Sequence, residues 1–210
     1  FKELSDQKDV LVIDTRSKEA YSSEGTVPGS WYIGIDGSFA PWVGTLVSDI
    51  NQKIIFITDD ELRVHEIVTR FSRVGYANTI GYLDGGIANW KSQGYQLDFI
   101  ESISATKFAT MLTEEKIEKP VDVRKESEYF SEHVVGVENF PLDDIHSNFG
   151  QINPETNYFL HCKSGYRSLI AASIFKANGV KQVTNIEGGF KEIVKTKIPL
   201  SEFVCPTTLM

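Results

Sequence analysis

The chain has 210 residues, enough for one or two domains of about 100–150 residues each. Its 41% hydrophobic and 24% charged residues are those of a folded globular protein and exclude a disordered or fibrous one. A net charge of −8 argues against nucleic acid and anionic membrane as partners, and no apolar run approaches the ~20 residues that span a bilayer.

The opening residues Phe1-Lys2-Glu3-Leu4 contain neither Met nor a signal-peptide pattern, so the sequence is expected to be a piece of a longer chain. Val10–Ile13 reads as a short β-branched strand ending at Asp14-Thr15-Arg16. Lys53–Ile57 reads as a buried strand. A helix over 62–75 follows, with Val64, Ile67, Val68, Phe71 and Val74 at helical spacing. The stretch Tyr95–Ser104 lacks strong periodicity, which places a boundary near residue 100, with domains at 1–102 and 103–210. Beyond it, Lys107–Leu112 stands where Phe1–Leu4 stands in the first half, and Pro120–Arg124 repeats the strand ending. Tyr158–His161 is a second buried strand. The helix after it, over 168–178, would bury Leu169, Ala172, Ile174 and Phe175, with Gly179 in the position of a C-terminal cap. Strand, loop and helix alternating in this way predict an α/β fold, each half a mainly parallel sheet flanked by helices.

The two halves are copies. Asp14-Thr15-Arg16 recurs as Asp122-Val123-Arg124, displaced by 108 residues (14 to 122), and Gly85-Gly86 recurs as Gly188-Gly189, displaced by 103 (85 to 188). Between them Gly25-Thr26-Val27-Pro28-Gly29 is matched by Glu132-His133-Val134-Val135-Gly136. A period this long marks a duplicated domain, not a solenoid.

Chemistry concentrates in His161-Cys162-Lys163-Ser164-Gly165-Tyr166-Arg167-Ser168. Cys162 sits at the carboxyl end of a parallel strand, where ligand sites of such sheets lie. A loop from Cys162 to Arg167 that wraps round the sulfur would turn its backbone N–H groups inward, with the start of a helix adding its positive end. Gly165 permits the tight turn. Lys163 and Arg167 add positive charge, and Ser164 and Ser168 are further donors. Such donors favour a sulfur anion and stabilise the anionic species of sulfur transfer. The alternative for a lone buried cysteine is a small core residue.

These residues resemble those of rhodanese domains, and the chain looks like two of them in tandem over nearly its whole length. The resemblance rests on Asp122-Val123-Arg124, Gly136, the Cys-x-x-Gly-x-Arg loop (Cys162, Gly165, Arg167) and the turn Gly188-Gly189. It implies that Cys162 is the nucleophile of a sulfurtransferase and carries sulfane sulfur as a persulfide. It also implies that the backbone of Lys163–Arg167 (Lys163, Ser164, Gly165, Tyr166, Arg167), with Ser168, cradles the transferred group. The partners expected are a small sulfur donor, thiosulfate or a low-molecular-weight persulfide, and a thiol or cyanide acceptor. The second reading is a sulfur carrier or docking module with little turnover. Four residues separate Cys162 from Arg167, one fewer than in cysteine-dependent phosphatases of related fold, which favours sulfur over phosphate.

In the first copy Asp59 takes the place of Cys162, so this copy is expected to be inactive, with Asp59, Asp60 and Glu61 capping the following helix. Its segment Gly37–Leu46 resembles the Phe-x-x-Trp segment of rhodanese domains fused behind a metallo-β-lactamase-fold persulfide dioxygenase, which implies such a domain upstream. No metal or organic cofactor is expected: the four histidines lack ligand spacing, and two cysteines, Cys162 and Cys205, are too few for a disulfide framework. A reducing, cytoplasmic setting is expected for such a thiol. His161 should face away from Cys162 by strand alternation and pack in the core. Asp122 and Arg124 should form a strand-end network, Tyr129, Phe190 and Trp90 should pack the core, and Cys205, in the tail 204–207, should be inert.

Overall fold

A computed structural model describes residues 1–205; Pro206 and Thr207 of the tail lie outside them. The chain forms two compact units, Phe1–Phe99 and Ile100–Met210. The division falls just before the strand Glu101–Ile103, because that strand pairs with Val183–Ile186 of the second half.

In the first unit β1 (Val10–Asp14), β2 (Trp31–Tyr32), β3 (Lys53–Ile57) and β4 (Thr79–Tyr82) form a parallel sheet in the order β2-β1-β3-β4. Four consecutive residues of β3, Ile54–Ile57, are buried, as a central strand covered on both faces requires. Alternation divides them. Ile55 and Ile57 join Val10, Val12, Leu83, Ile87 and Trp90 in one cluster, against which Leu4 of α1 (Lys2–Ser5) and Phe1 before it pack, with α5 (Gly86–Ser92) supplying Ile87 and Trp90. On the other face Phe56 meets Phe71 of α4 (Val64–Arg73), and Phe71 meets Phe39 of α3 (Phe39–Leu46) edge to face at 4.9 Å. Between β1 and β2 lies α2 (Lys18–Glu24), capped by Ser17. The helix expected over 62–75 starts at Val64 instead. The Asp60 side chain accepts from the Leu62 N–H at 3.0 Å and turns residues 61–63 into a 3₁₀ segment that leaves Leu62 fully outside.

The second unit carries β5 (Glu101–Ile103), β6 (Lys119–Asp122), β7 (Glu138–Asn139), β8 (Tyr158–His161) and β9 (Val183–Ile186), all parallel, in the order β5-β9-β8-β6-β7. This is the first unit's order with β5 added beside β9. Helices α6 (Ala105–Thr113), α7 (Glu126–Ser131), α8 (Ile145–Asn148), α9 (Tyr166–Ala177) and α10 (Phe190–Ile193) connect and cover the strands. Alpha-helix α9 begins two residues before the expected 168, directly after Gly165. All of Ser168–Phe175 is buried, so Ser168, Ile170, Ala171 and Ser173 join the four residues expected inside. Gly179 does follow the helix end, at φ +90°.

The duplicated Asp-x-Arg is a buried clamp in both units. Arg124 donates through Nε and Nη2 to Asp122 (2.6–3.0 Å) and through Nη2 to the Glu132 carbonyl at 2.8 Å. Arg16 holds Asp14 and the Gly25 carbonyl in the same way. Each clamp ties the end of the first central strand to the loop after the following helix. Because the clamp recurs where the thiol does not, its primary role is architectural. Asp122→Ala leaves the buried Arg124 guanidinium without its carboxylate and should cost about 3–5 kcal/mol, read as a drop in urea midpoint, whereas Asp14→Ala should cost less because Arg16 keeps Glu24 at 2.9 Å.

Candidate active site

Cys162 follows the last residue of β8, and the chain then turns sharply through Lys163 and Ser164 to Gly165, the left-handed N-cap of α9 at φ +94°. This turn brings the Gly165 N–H to 3.2 Å from Cys162 Sγ. Ser168, one turn into α9, places its Oγ 3.6 Å from the same sulfur and 2.7 Å from Asn185 Oδ1 on β9. The thiol is buried at the base of the loop, with Lys163 and Ser164 exposed on its rim. Tyr166 and Arg167 are half-buried, and burial pushes the Tyr166 phenol up.

What fixes the loop is the turn Gly188-Gly189. The Cys162 carbonyl accepts from the Phe190 N–H at 2.6 Å, and the Lys163 carbonyl from the Lys191 N–H at 3.1 Å. Because a trans peptide sets its N–H opposite the preceding carbonyl, the amides of Lys163 and Ser164 point away from α10. A Cβ on Gly189, at φ +57°, would lie 2.3 Å from the Cys162 carbonyl oxygen and 2.9 Å from the Ser164 nitrogen. Only glycine allows that approach.

Arg167 turns to α7. Its Nη1 and Nη2 donate to the two carboxylate oxygens of Glu128 at 2.5 and 3.0 Å. Burial pushes the Glu128 carboxyl up, but the Arg167 pair outweighs it and holds Glu128 below the usual range. Burial likewise opposes the charge on Arg167, and Glu128 more than restores it. Glu128 and Asn185 are the site residues that sequence reasoning missed. A buried polar residue inside the run Val183–Ile186 was the available signal for Asn185; Glu128 carried none.

His161 is fully buried on the opposite face of β8 from the sulfur, near Phe108 (6.1 Å) and stacked with Phe190 (6.3 Å). Its Nδ1 lies 3.5 Å from the Cys162 carbonyl and 3.8 Å from Asp122. Phe190 is partly exposed and carries the Arg124 guanidinium 3.9 Å above its ring. Trp90 is core, whereas Tyr129 is half-buried and stacks on His133 at 3.9 Å. Cys205 is exposed.

The first unit builds the same frame without the chemistry. Gly86 repeats the close approach, its would-be Cβ 3.0 Å from Asp59 Oδ1 and 3.1 Å from the Thr58 carbonyl. Of the three carboxylates expected as caps, Asp60 alone caps a backbone N–H. Asp59 instead lies 3.6 Å from Arg16, the arginine of the clamp.

A family model described as the rhodanese-like domain matches residues 1–93 and 104–196. The chain belongs to this family and carries two copies of its domain. An uncharacterized protein, YqhL of Bacillus subtilis (strain 168), is 32% identical over 72 residues; the chain spans little more than half of it (57%, and 34% of this chain). Thiosulfate sulfurtransferase PspE of Escherichia coli (strain K12) is 32% identical over 80 residues, 37% of this chain and 76% of PspE. A crystal structure of a rhodanese-like domain protein from Staphylococcus aureus is 26% identical, with a TM-score of 0.44, over 49% of this chain and all of that one. Among the described residues no helix is long and apolar enough to cross a membrane.

Burial lowers the pKa of His161, which therefore packs as the neutral ring. In the unfolded chain it titrates near 6.5, so on acidification below that value the unfolded state takes up a proton that the folded state refuses. Stability should fall from about pH 6.5 downward. His161→Gln should flatten this loss between pH 7 and 5 in thermal melts. The Glu128 contribution is lost only at more acid pH, as its lowered pKa is reached.

Proposed function

We propose that the second unit is a sulfurtransferase whose Cys162 carries sulfane sulfur as a persulfide, while the first unit, with Asp59 at that position, carries none. The observation that supports this most directly is the Gly165 N–H directed at Cys162 Sγ in a loop held open by its own glycine turn. Sequence similarity to thiosulfate sulfurtransferase PspE adds to it. With an organic persulfide donor, the Cys162 thiolate forms a bond to the outer sulfur, the donor S–S bond breaks, and a thiolate leaves with the electron pair. With thiosulfate the same attack expels sulfite. An acceptor thiolate or cyanide then takes the sulfur and restores the Cys162 thiolate. The backbone of Lys163–Arg167 stabilises the sulfur anion in both halves of the cycle, joined by the Ser168 hydroxyl when its single proton turns from Asn185 Oδ1 to the sulfur.

Incubation with thiosulfate or glutathione persulfide should add one sulfur to the intact mass. Cys162→Ser should abolish the addition and Cys205→Ser should retain it; labelling that follows Cys205 overturns the assignment. Release of the label to cyanide or a thiol at catalytic rates separates an enzyme from a carrier. The inference that a metallo-β-lactamase-fold domain precedes this chain rests on Gly37–Leu46. That segment forms the end of the preceding loop and α3, where Phe39 is a core residue of the first unit. The upstream coding sequence should then encode a His-x-His-x-Asp-His motif.

A further inference from the structure

The loop contains two cations, but the arginine is already engaged. Both forks of the Arg167 guanidinium are taken by Glu128, whose side chain comes from α7, outside the loop. Arg124, at the carboxyl end of β6, is held by Asp122, the exposed Lys125 lies 3.0 Å from Asp143, and Lys191, beside the loop in α10, is exposed like Lys163. Lys163 is exposed, where water and salt screen its charge. A two-pronged guanidinium–carboxylate pair is close to neutral overall and geometrically committed.

This arrangement matters because the two classes of donor differ in charge at the reacting atoms. Thiosulfate brings a dianion, with a sulfonate bonded directly to the sulfur under attack, and expels another dianion, sulfite. An organic persulfide, R–S–SH, brings at most one charge there and expels a monoanionic thiolate. Attack by Cys162 on the first places three negative charges together, Cys–S⁻ and S–SO₃²⁻ becoming Cys–S–S⁻ and SO₃²⁻. Attack on the second places one, or two where the persulfide is ionised: with the neutral form, Cys–S⁻ and R–S–SH become Cys–S–SH and R–S⁻. Backbone amides serve the sulfur in both cases; only the dianion calls for an unpaired cation as well.

We propose that Glu128 is a positioning residue that sets the class of donor. By holding Arg167 in a two-pronged ion pair, it withholds that cation from the loop mouth, so that organic persulfides are accepted in preference to thiosulfate. The inference rests on the sulfurtransferase reading of Cys162.

Sulfur transfer to cyanide is measured with glutathione persulfide and with thiosulfate as donors, alongside intact-mass labelling of Cys162. The wild-type protein should favour the persulfide by about tenfold or more in kcat/KM, the size of one charge interaction at a half-buried site. Glu128→Gln, which keeps shape but frees Arg167, should raise the thiosulfate-to-persulfide ratio by about tenfold through a lower KM for thiosulfate. Glu128→Asp, which keeps the charge, should return the ratio toward wild type. A merely structural Glu128 would depress both donors in parallel and leave the ratio unmoved, and that result overturns the proposal. So does a wild-type protein that uses both donors equally or prefers thiosulfate, a measurement that needs no variant to fold. A wild-type protein labelled by neither donor instead overturns the sulfurtransferase reading on which the proposal stands.

Discussion

The active-site loop of the second unit depends on two hydrogen bonds made across a glycine. Phe190 and Lys191 reach past Gly189 to the carbonyls of Cys162 and Lys163, and planar peptides then leave the next two amides no direction but away from α10. Everything chemical follows from that constraint. The loop cannot relax toward the sheet without losing both bonds, and the Gly165 amide is left facing the sulfur. Those dipoles are oriented when the protein folds, so an anion at the sulfur would meet donors already in place.

The duplication separates what the fold needs from what the chemistry needs. Both units keep the buried Asp–Arg clamp and a glycine pressed against the strand-end carbonyl. Only the second keeps the thiol, the following Gly-x-Arg and the serine one turn later. In the first unit a carboxylate stands in the loop and turns to the clamp arginine, so the frame persists with a charge of the sign it would otherwise receive from a ligand. A residue shared by both units is therefore a poor candidate for catalysis in this chain, however close it lies to the sulfur.

Much of this was legible in the sequence because the informative residues are contiguous or repeat at fixed displacement. The parallel strands, the duplication and the run from Cys162 to Ser168 all express themselves locally, through β-branched runs, glycines and a strand-to-helix turn. What was not legible depends on the tertiary fold. Glu128 reaches Arg167 across 39 residues, and within its own segment it is one acidic residue near a helix start among others. Asn185 meets Ser168 across 17 residues. The start of α4 shifted because Asp60 found a closer amide than the one periodicity suggested. Asp59 formed an ion pair and not a cap because Arg16 arrives from a different strand end. Tyr129 left the core because a histidine one helical turn on offered its ring as a stacking partner.

Helix α9 is enclosed along its whole middle, eight consecutive residues from Ser168 to Phe175, and it begins at the loop itself. Such a rod cannot slide or rotate to retune the loop it supports, since any shift would collide with packed neighbours. Sequence change around the loop is thereby channelled to positions that are not enclosed: the exposed pair after Cys162 and the outer turn of α7. An evolving lineage can change the surroundings of Cys162 without touching the helix on which its loop is mounted.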